Sequence, residues 1–183
     1  MLSWVLMALK TGGMADLNVS EASFQGASRF LDSVQSNGGA TYGDQGPERR
    51  GRVATATTAI GLLCRMHLDW KRDNESLQRG VQALATKRGP AKDDLYYNYY
   101  ATQVLWHYGG SLWEKWNQQM RQHLITSQNQ SGHPKGSWSP VGVYPVDKQG
   151  GRHYCTSLTT LILEVYYRVA PIYHDRATDG LAP

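Results

Sequence analysis

Cysteine is scarce. Only Cys64 and Cys155 carry a thiol among the 183 residues, and they lie far apart in the chain, so neither a disulfide framework nor a thiolate metal cluster is available. The redox compartment stays undecided. Long apolar runs are also missing. None approaches the roughly 18 residues needed to cross a bilayer, and the opening stretch Leu2 to Leu9 lacks the basic flank and cleavage site of a signal peptide. The chain is therefore expected to be soluble, with no transmembrane segment. The common catalytic signatures are absent as well: no glycine-rich phosphate loop ending in Lys-Ser/Thr, no dinucleotide fingerprint after a strand, no His-Glu-x-x-His and no Gly-x-Ser-x-Gly. An excess of one charge is slight. The formal charge is +4, and Arg49, Arg50, Arg52, Lys71, Arg72, Lys87, Arg88 and Lys92 stand between apolar segments with carboxylates among them. That pattern reads as a solvated surface, and no nucleic-acid partner is expected.

What is present is material for a core. With 40% hydrophobic and 19% charged positions, the chain has one domain's worth of sequence and is not a disordered tail. Helix signals dominate. From Ser20, a natural N-cap, the residues Phe24, Ala27, Leu31 and Val34 fall at helical spacing. From Asn74, Leu77, Val81 and Leu84 share a stripe, and from Ser111 so do Trp113, Trp116, Met120 and Leu124. These three are amphipathic, outward-facing helices. Between them lie segments that are apolar nearly all round, Leu2 to Lys10, Ala54 to Leu68, Leu95 to Tyr108 and Cys155 to Val169, which predict helices buried on most sides. The order alternates inner and outer, giving seven helices in about three and a half hairpins.

The outer helices align on their ends. Gln35, Arg88 and Gln128 are preceded four residues earlier by Leu31, Leu84 and Leu124, and five earlier by Phe30, Ala83 and His123. The first copy continues to Gly38 and Tyr42, the third to Gly132 and Gly136-Ser137-Trp138; the middle copy has Arg88 in the glutamine place and only Gly89-Pro90 after it. From Gln35 to Arg88 is 53 residues and from Arg88 to Gln128 is 40, a period that signals helical hairpin repeats.

The pattern Gly26-Ala27-x-x-Phe30-Leu31-x-x-x-Gln35-x-x-Gly38, echoed by Gln128, Gly132 and Gly136-Ser137-Trp138, resembles the glutamine–tryptophan repeat of squalene and oxidosqualene cyclases and the related protein-prenyltransferase repeat. The resemblance implies an all-α fold of the α/α-toroid type over residues 1–173, with a polar, flexible tail at 174–183. It implies that Gln35 and Gln128 tie off helix ends, which orphan C-terminal carbonyls would welcome, while Tyr42 and Trp138 cover those ends. A closed ring of six such hairpins needs roughly 240 to 320 residues by repeat arithmetic. The expectation is thus an incomplete ring, completed by its remaining half or by self-association.

In a toroid the N-terminal ends of inner helices converge on a cavity, which singles out Asp93, Asp94, Tyr97 and Tyr100, then His153 and Cys155, with Thr55, Thr57 and Thr58 beside them. Each has a simpler reading. Asp93 or Asp94 serves as an N-cap, the tyrosines pack the core with hydroxyls at its wet edge, and Cys155 packs as a small hydrophobe instead of acting as a thiolate activated by the helix end and His153. Cys64, within Gly61-Leu-Leu-Cys-Arg-Met66, is a core residue. The Asp-x-Asp-Asp acid of squalene-hopene-type cyclases has no counterpart, and the zinc ligands of protein prenyltransferases are matched only in part: leucine stands in the cysteine place after Asp93-Asp94, leaving Asp93, His153 and Cys155 as a chemically conceivable set. No cofactor is expected. The long loop from Gln130 to Arg152 is placed to cover a cavity mouth. Two functions follow: a binding or interaction module without catalysis in this chain, or a cyclase- or prenyltransferase-like enzyme on an apolar isoprenoid whose acid lies outside it. The thioester sequence Gly-Cys-Gly-Glu-Gln of other toroid proteins is absent.

Overall fold

The computed structural model describes residues 2–47, 55–140, 145–168 and 172–173. The fold is all-α: the chain is mostly helical, and among the described residues the strand content is one short hairpin. The chain divides into two compact units, 1–87 and 88–183. The boundary falls just before the Gly89-Pro90 turn of the copy without glutamine.

The first unit holds α1 (Leu2–Met14), α2 (Glu21–Val34), β1 (Gln35–Ser36), β2 (Thr41–Tyr42), α3 (Ala56–His67) and α4 (Glu75–Ala83), which widens into a π-turn over Leu84–Arg88 at the boundary. β1 and β2 pair antiparallel, Gln35 opposite Tyr42 and Ser36 opposite Thr41, around an Asn37–Gly39 turn. α3 is buried nearly all round, as its composition predicts, and Thr55 caps it by accepting the Thr58 N–H at 3.1 Å. α4 is amphipathic, burying Leu77, Gly80, Val81 and Ala83, and Asn74 caps it through the Leu77 N–H at 3.0 Å. α2 buries Ala27, Leu31 and Val34. Ser20 does sit at its N-cap, but its side chain makes no cap hydrogen bond.

α1 departs from expectation. It runs on to Met14 and buries only Ser3 and Leu6, leaving Trp4 57% and Val5 54% exposed. Its apolar composition gives it no preferred face, and within its unit it packs mainly on α3, with a smaller contact to α2. Its other side therefore has nothing to cover it among the described residues of that unit.

The second unit holds α5 (Leu95–Tyr108), α6 (Gly110–Ser127), α7 (Pro145–Leu163) and the short α8 (Val165–Arg168). α5 packs most heavily on α7 and then on α6. It is almost wholly buried, whereas α6 buries the single stripe Trp116, Met120 and Leu124. α7 begins ten residues before Cys155, so the expected long loop is shortened: helix resumes at Pro145 instead of after Arg152. Gly151 breaks this helix with φ 61°, in the left-handed region that residues with a Cβ avoid, and thereby re-aims the segment carrying Cys155. Val169, Ala54, the arginines at 49, 50 and 52, and the tail 174–183 lie outside the described residues.

Candidate functional site

Gln35, Tyr42, Gln128 and Trp138 lie at the junctions between helices. In the first unit Tyr42 is buried flat against α3 at Gly61, where a Cβ would fall 2.2–2.7 Å from the ring atoms. Only glycine permits that approach. Its backbone N–H donates to Thr58 Oγ1 at 3.2 Å, and its hydroxyl accepts from Arg65 Nε at 3.1 Å. Arg65, 3% exposed on the otherwise apolar α3, is the hub: it also donates to Ser28 Oγ at 3.2 Å, to Gln35 Oε1 at 3.4 Å and to the Asp32 carboxylate. The Trp70 ring covers its guanidinium at 4.9 Å. Burial pushes the Tyr42 hydroxyl above its usual range, against the opposing pull of Arg65. Gln35 therefore accepts from Arg65, and among the described residues its side chain has no bond to a helix carbonyl.

The second unit holds a parallel arrangement. The Trp138 backbone N–H donates to Thr156 Oγ1 at 3.2 Å, the same bond that Tyr42 makes to Thr58. The Trp138 indole N–H donates to the Leu124 carbonyl in the last turn of α6 at 2.8 Å. Gln128 donates to the Gly136 carbonyl at 2.9 Å, pinning the loop. The aromatic residue, and not the glutamine, reaches the last turn of α6, where the Leu124 carbonyl also accepts from Ser127 Oγ at 3.2 Å.

At the start of α5 the middle copy has its own tie. Asp94, 6% exposed, caps the helix through the Tyr97 N–H at 2.9 Å and pairs with Arg88 at 2.7 Å. Arg88 in turn lies 3.9 Å from the Tyr97 ring centroid. Asp93, its neighbour, is exposed. Asn98 clamps the preceding turn, donating to and accepting from the Ala91 backbone. Tyr97 and Tyr100 are fully buried core residues. Tyr97 meets Trp116 edge-on at 6.1 Å, and Tyr100 meets Tyr96 and Tyr99 edge-on at 5.0 and 4.9 Å. Burial raises the hydroxyl pKa of Tyr96 and of Tyr97. Near the start of α3, Thr55, Thr57 and Thr58 form a small hydroxyl cluster, with oxygens 2.8 and 3.1 Å apart.

His153 and Cys155 part company. Cys155 is fully buried and His153 exposed, as helix residues two apart must project about 200° from one another. Among the described residues no three His, Cys, Asp or Glu side chains gather as a metal ion would require. Asp93, His153 and Cys155 thus do not form the zinc set. Cys64 is buried, and desolvation pushes its thiol up to about 12, leaving it an inert core residue.

A separate feature lies on the first unit. Leu2, Val5, Leu6, Leu9, Ser23, Gly26, Ala27 and Phe30 line an apolar groove of about 290 Å³ between α1 and α2, with Trp4 exposed beside them on α1. The residue that sequence reasoning missed is Arg65. Its one signal is a lone charge inside an apolar helical run. Searches of family models, of curated proteins and of solved structures return no match to this chain. No described helix is long and apolar enough to cross a membrane.

Proposed function

We propose that the chain is a module of helical hairpin repeats, akin to those of the squalene-cyclase and prenyltransferase superfamily, that binds its ligand or partner without transforming it. The observation carrying this reading is that the candidate reactive groups are already committed to structure or held apart. Asp94 is capped into α5 and paired with Arg88, Cys155 is sealed in the core, and Asp93 and His153 face solvent. The repeat part of the reading is supported by the matched bonds of Tyr42 to Thr58 and Trp138 to Thr156. The α1/α2 groove, with Trp4 and Val5 beside it, supplies a contact face, and its expected use is self-association.

Metal analysis and native mass spectrometry of the purified chain test the reading. We expect no stoichiometric zinc, and light scattering is expected to show a dimer or larger assembly that Trp4→Glu weakens. Zinc bound one to one and lost in Cys155→Ala would overturn the non-catalytic reading. A clean monomer that binds no hydrophobic dye would overturn the contact face.

A further inference from the structure

α5 carries Tyr96, Tyr100, Gln103 and His107 at spacings of four, three and four, so the four share one stripe of the helix. That stripe faces α7. Tyr96 lies within electrostatic reach of Tyr154 on α7, and His107 Nδ1 accepts the Ile172 N–H at 3.2 Å just beyond α8. The two helices therefore run in the same direction: Gln103 follows Tyr96 by about two turns of α5, and Thr159 follows Tyr154 by about one and a half turns of α7, on its buried Cys155–Leu158–Thr159–Ile162 side.

Both polar atoms of the Gln103 amide are buried without a hydrogen-bond partner, and so is the Thr159 hydroxyl. Their residues are 3% and 0% exposed. A glutamine amide offers two N–H donors and a carbonyl acceptor. Burying an amide without protein partners is among the costlier arrangements a fold can hold, and methionine would fill the same volume at no such cost. The surroundings are aromatic: Tyr96, Tyr99 and Tyr100 stack edge to face, and Tyr96, Tyr99 and Tyr154 are only partly buried, so this end of the seam reaches the surface. No Lys, Arg, Asp or Glu is found among the buried, described residues of α5 and α7.

We propose that this seam binds a neutral, flat small molecule with an amide-type edge, a carbonyl beside an N–H, which pairs with the Gln103 amide. The Thr159 hydroxyl takes a second bond, and the tyrosine rings lie against the ligand. The proposal rests on the binding-module reading and narrows it from an apolar ligand to one that hydrogen-bonds. It also accounts for a destabilising amide in a core: stability is given up where a ligand supplies the missing partners.

Gln103→Met and Thr159→Val test it, with benzamide as probe and toluene and benzoate as its apolar and charged counterparts. Without ligand, each variant should melt above wild type, Gln103→Met by about 3–6 °C for a chain of this size. Millimolar benzamide should raise the wild-type Tm by at least about 2 °C when present well above its Kd, and should move the Gln103 side-chain amide resonances in an NMR titration. Toluene and benzoate should do neither, and Gln103→Met should abolish the benzamide effect. A Gln103→Met protein less stable than wild type would show the amide bonded within the fold and overturn the proposal. So would toluene matching benzamide, or wild-type amide resonances unmoved by benzamide, a result that needs no variant to fold. Stoichiometric zinc would instead remove the module reading and leave these melting results standing on their own.

Discussion

Arg65 and Asp32 form the pair whose removal should behave least intuitively. Arg65 is 3% exposed, while the Asp32 side chain is 55% exposed. Deleting the carboxylate with Asp32→Ala leaves a guanidinium buried with only the neutral acceptors of Tyr42, Ser28 and Gln35. Breaking a buried pair from one side costs about 3–5 kcal/mol, and the half-open position of Asp32 lets water offset part of it, so about 3 kcal/mol is expected. Deleting the cation with Arg65→Met is milder. Asp32 rehydrates, its surface-type pairing being worth about 0–1 kcal/mol. The Tyr42 hydroxyl, buried and stripped of its donor, contributes most of an expected loss of about 2 kcal/mol. The double variant should then lose about 2 kcal/mol rather than 5, a coupling of about 3 kcal/mol. Urea unfolding followed by circular dichroism gives the three values. An additive double variant, or a loss below about 1 kcal/mol for Asp32→Ala, would refute the account of Arg65 as a buried hub.

Burial, with a smaller contribution from Lys10, lowers the His67 pKa to about 4 against the opposing pull of Asp69. The unfolded chain binds a proton that the folded chain refuses, so this contribution is full above pH 6.5 and is lost as pH falls toward 4, a change of roughly 2–3 kcal/mol. His123, lowered by burial and Lys92, acts in the same direction. The readout is therefore the urea midpoint of wild type against His67→Leu between pH 7 and 4.5; equal slopes would contradict the assignment. Trp138→Phe should cost about 1–2 kcal/mol through the lost bond to the Leu124 carbonyl, and Gln128→Ala, whose bond lies at the surface, under about 0.5 kcal/mol. Equal losses would return the capping role to the glutamine. Gly61→Ala should cost about 3 kcal/mol by driving a methyl into the Tyr42 ring, and a variant as stable as wild type would mean that the ring is free to move.

Local periodicity carried the helices well. The stripes Leu31–Val34, Leu77–Val81 and Trp116–Met120–Leu124 are buried as their spacing requires, and α3 and α5, apolar all round, are buried all round. Burial of α1 was not legible, because an evenly apolar helix says nothing of which neighbours it meets. Nor was the helical stretch from Pro145. Gly150-Gly151 reads as a loop in sequence, yet only Gly151 takes a left-handed conformation there, and it separates two helical stretches. The lone charge of Arg65 in an apolar run marks the residue but not its role: its partners Ser28, Asp32, Gln35 and Tyr42 precede it by 23 to 37 residues, and no local pattern encodes that meeting.

The same reasoning extends to the ends of the amphipathic helices. At three points where an amphipathic helix gives way to an apolar one, a polar group and an aromatic ring meet, but the chemistry differs each time. Arg65 bonds the Tyr42 hydroxyl after α2, Arg88 lies over the Tyr97 ring at the start of α5, and the Trp138 indole bonds a helix carbonyl after α6. Each solution satisfies buried polar groups beside a packed ring, which is all that packing demands. A glutamine is one way to help and not the necessary one, and at Arg88 a cation beside the Tyr97 ring meets the same demand. The hydrophobic spacing of a helix can therefore be read from sequence where the polar partners at its end cannot, because several residue types meet the same demand.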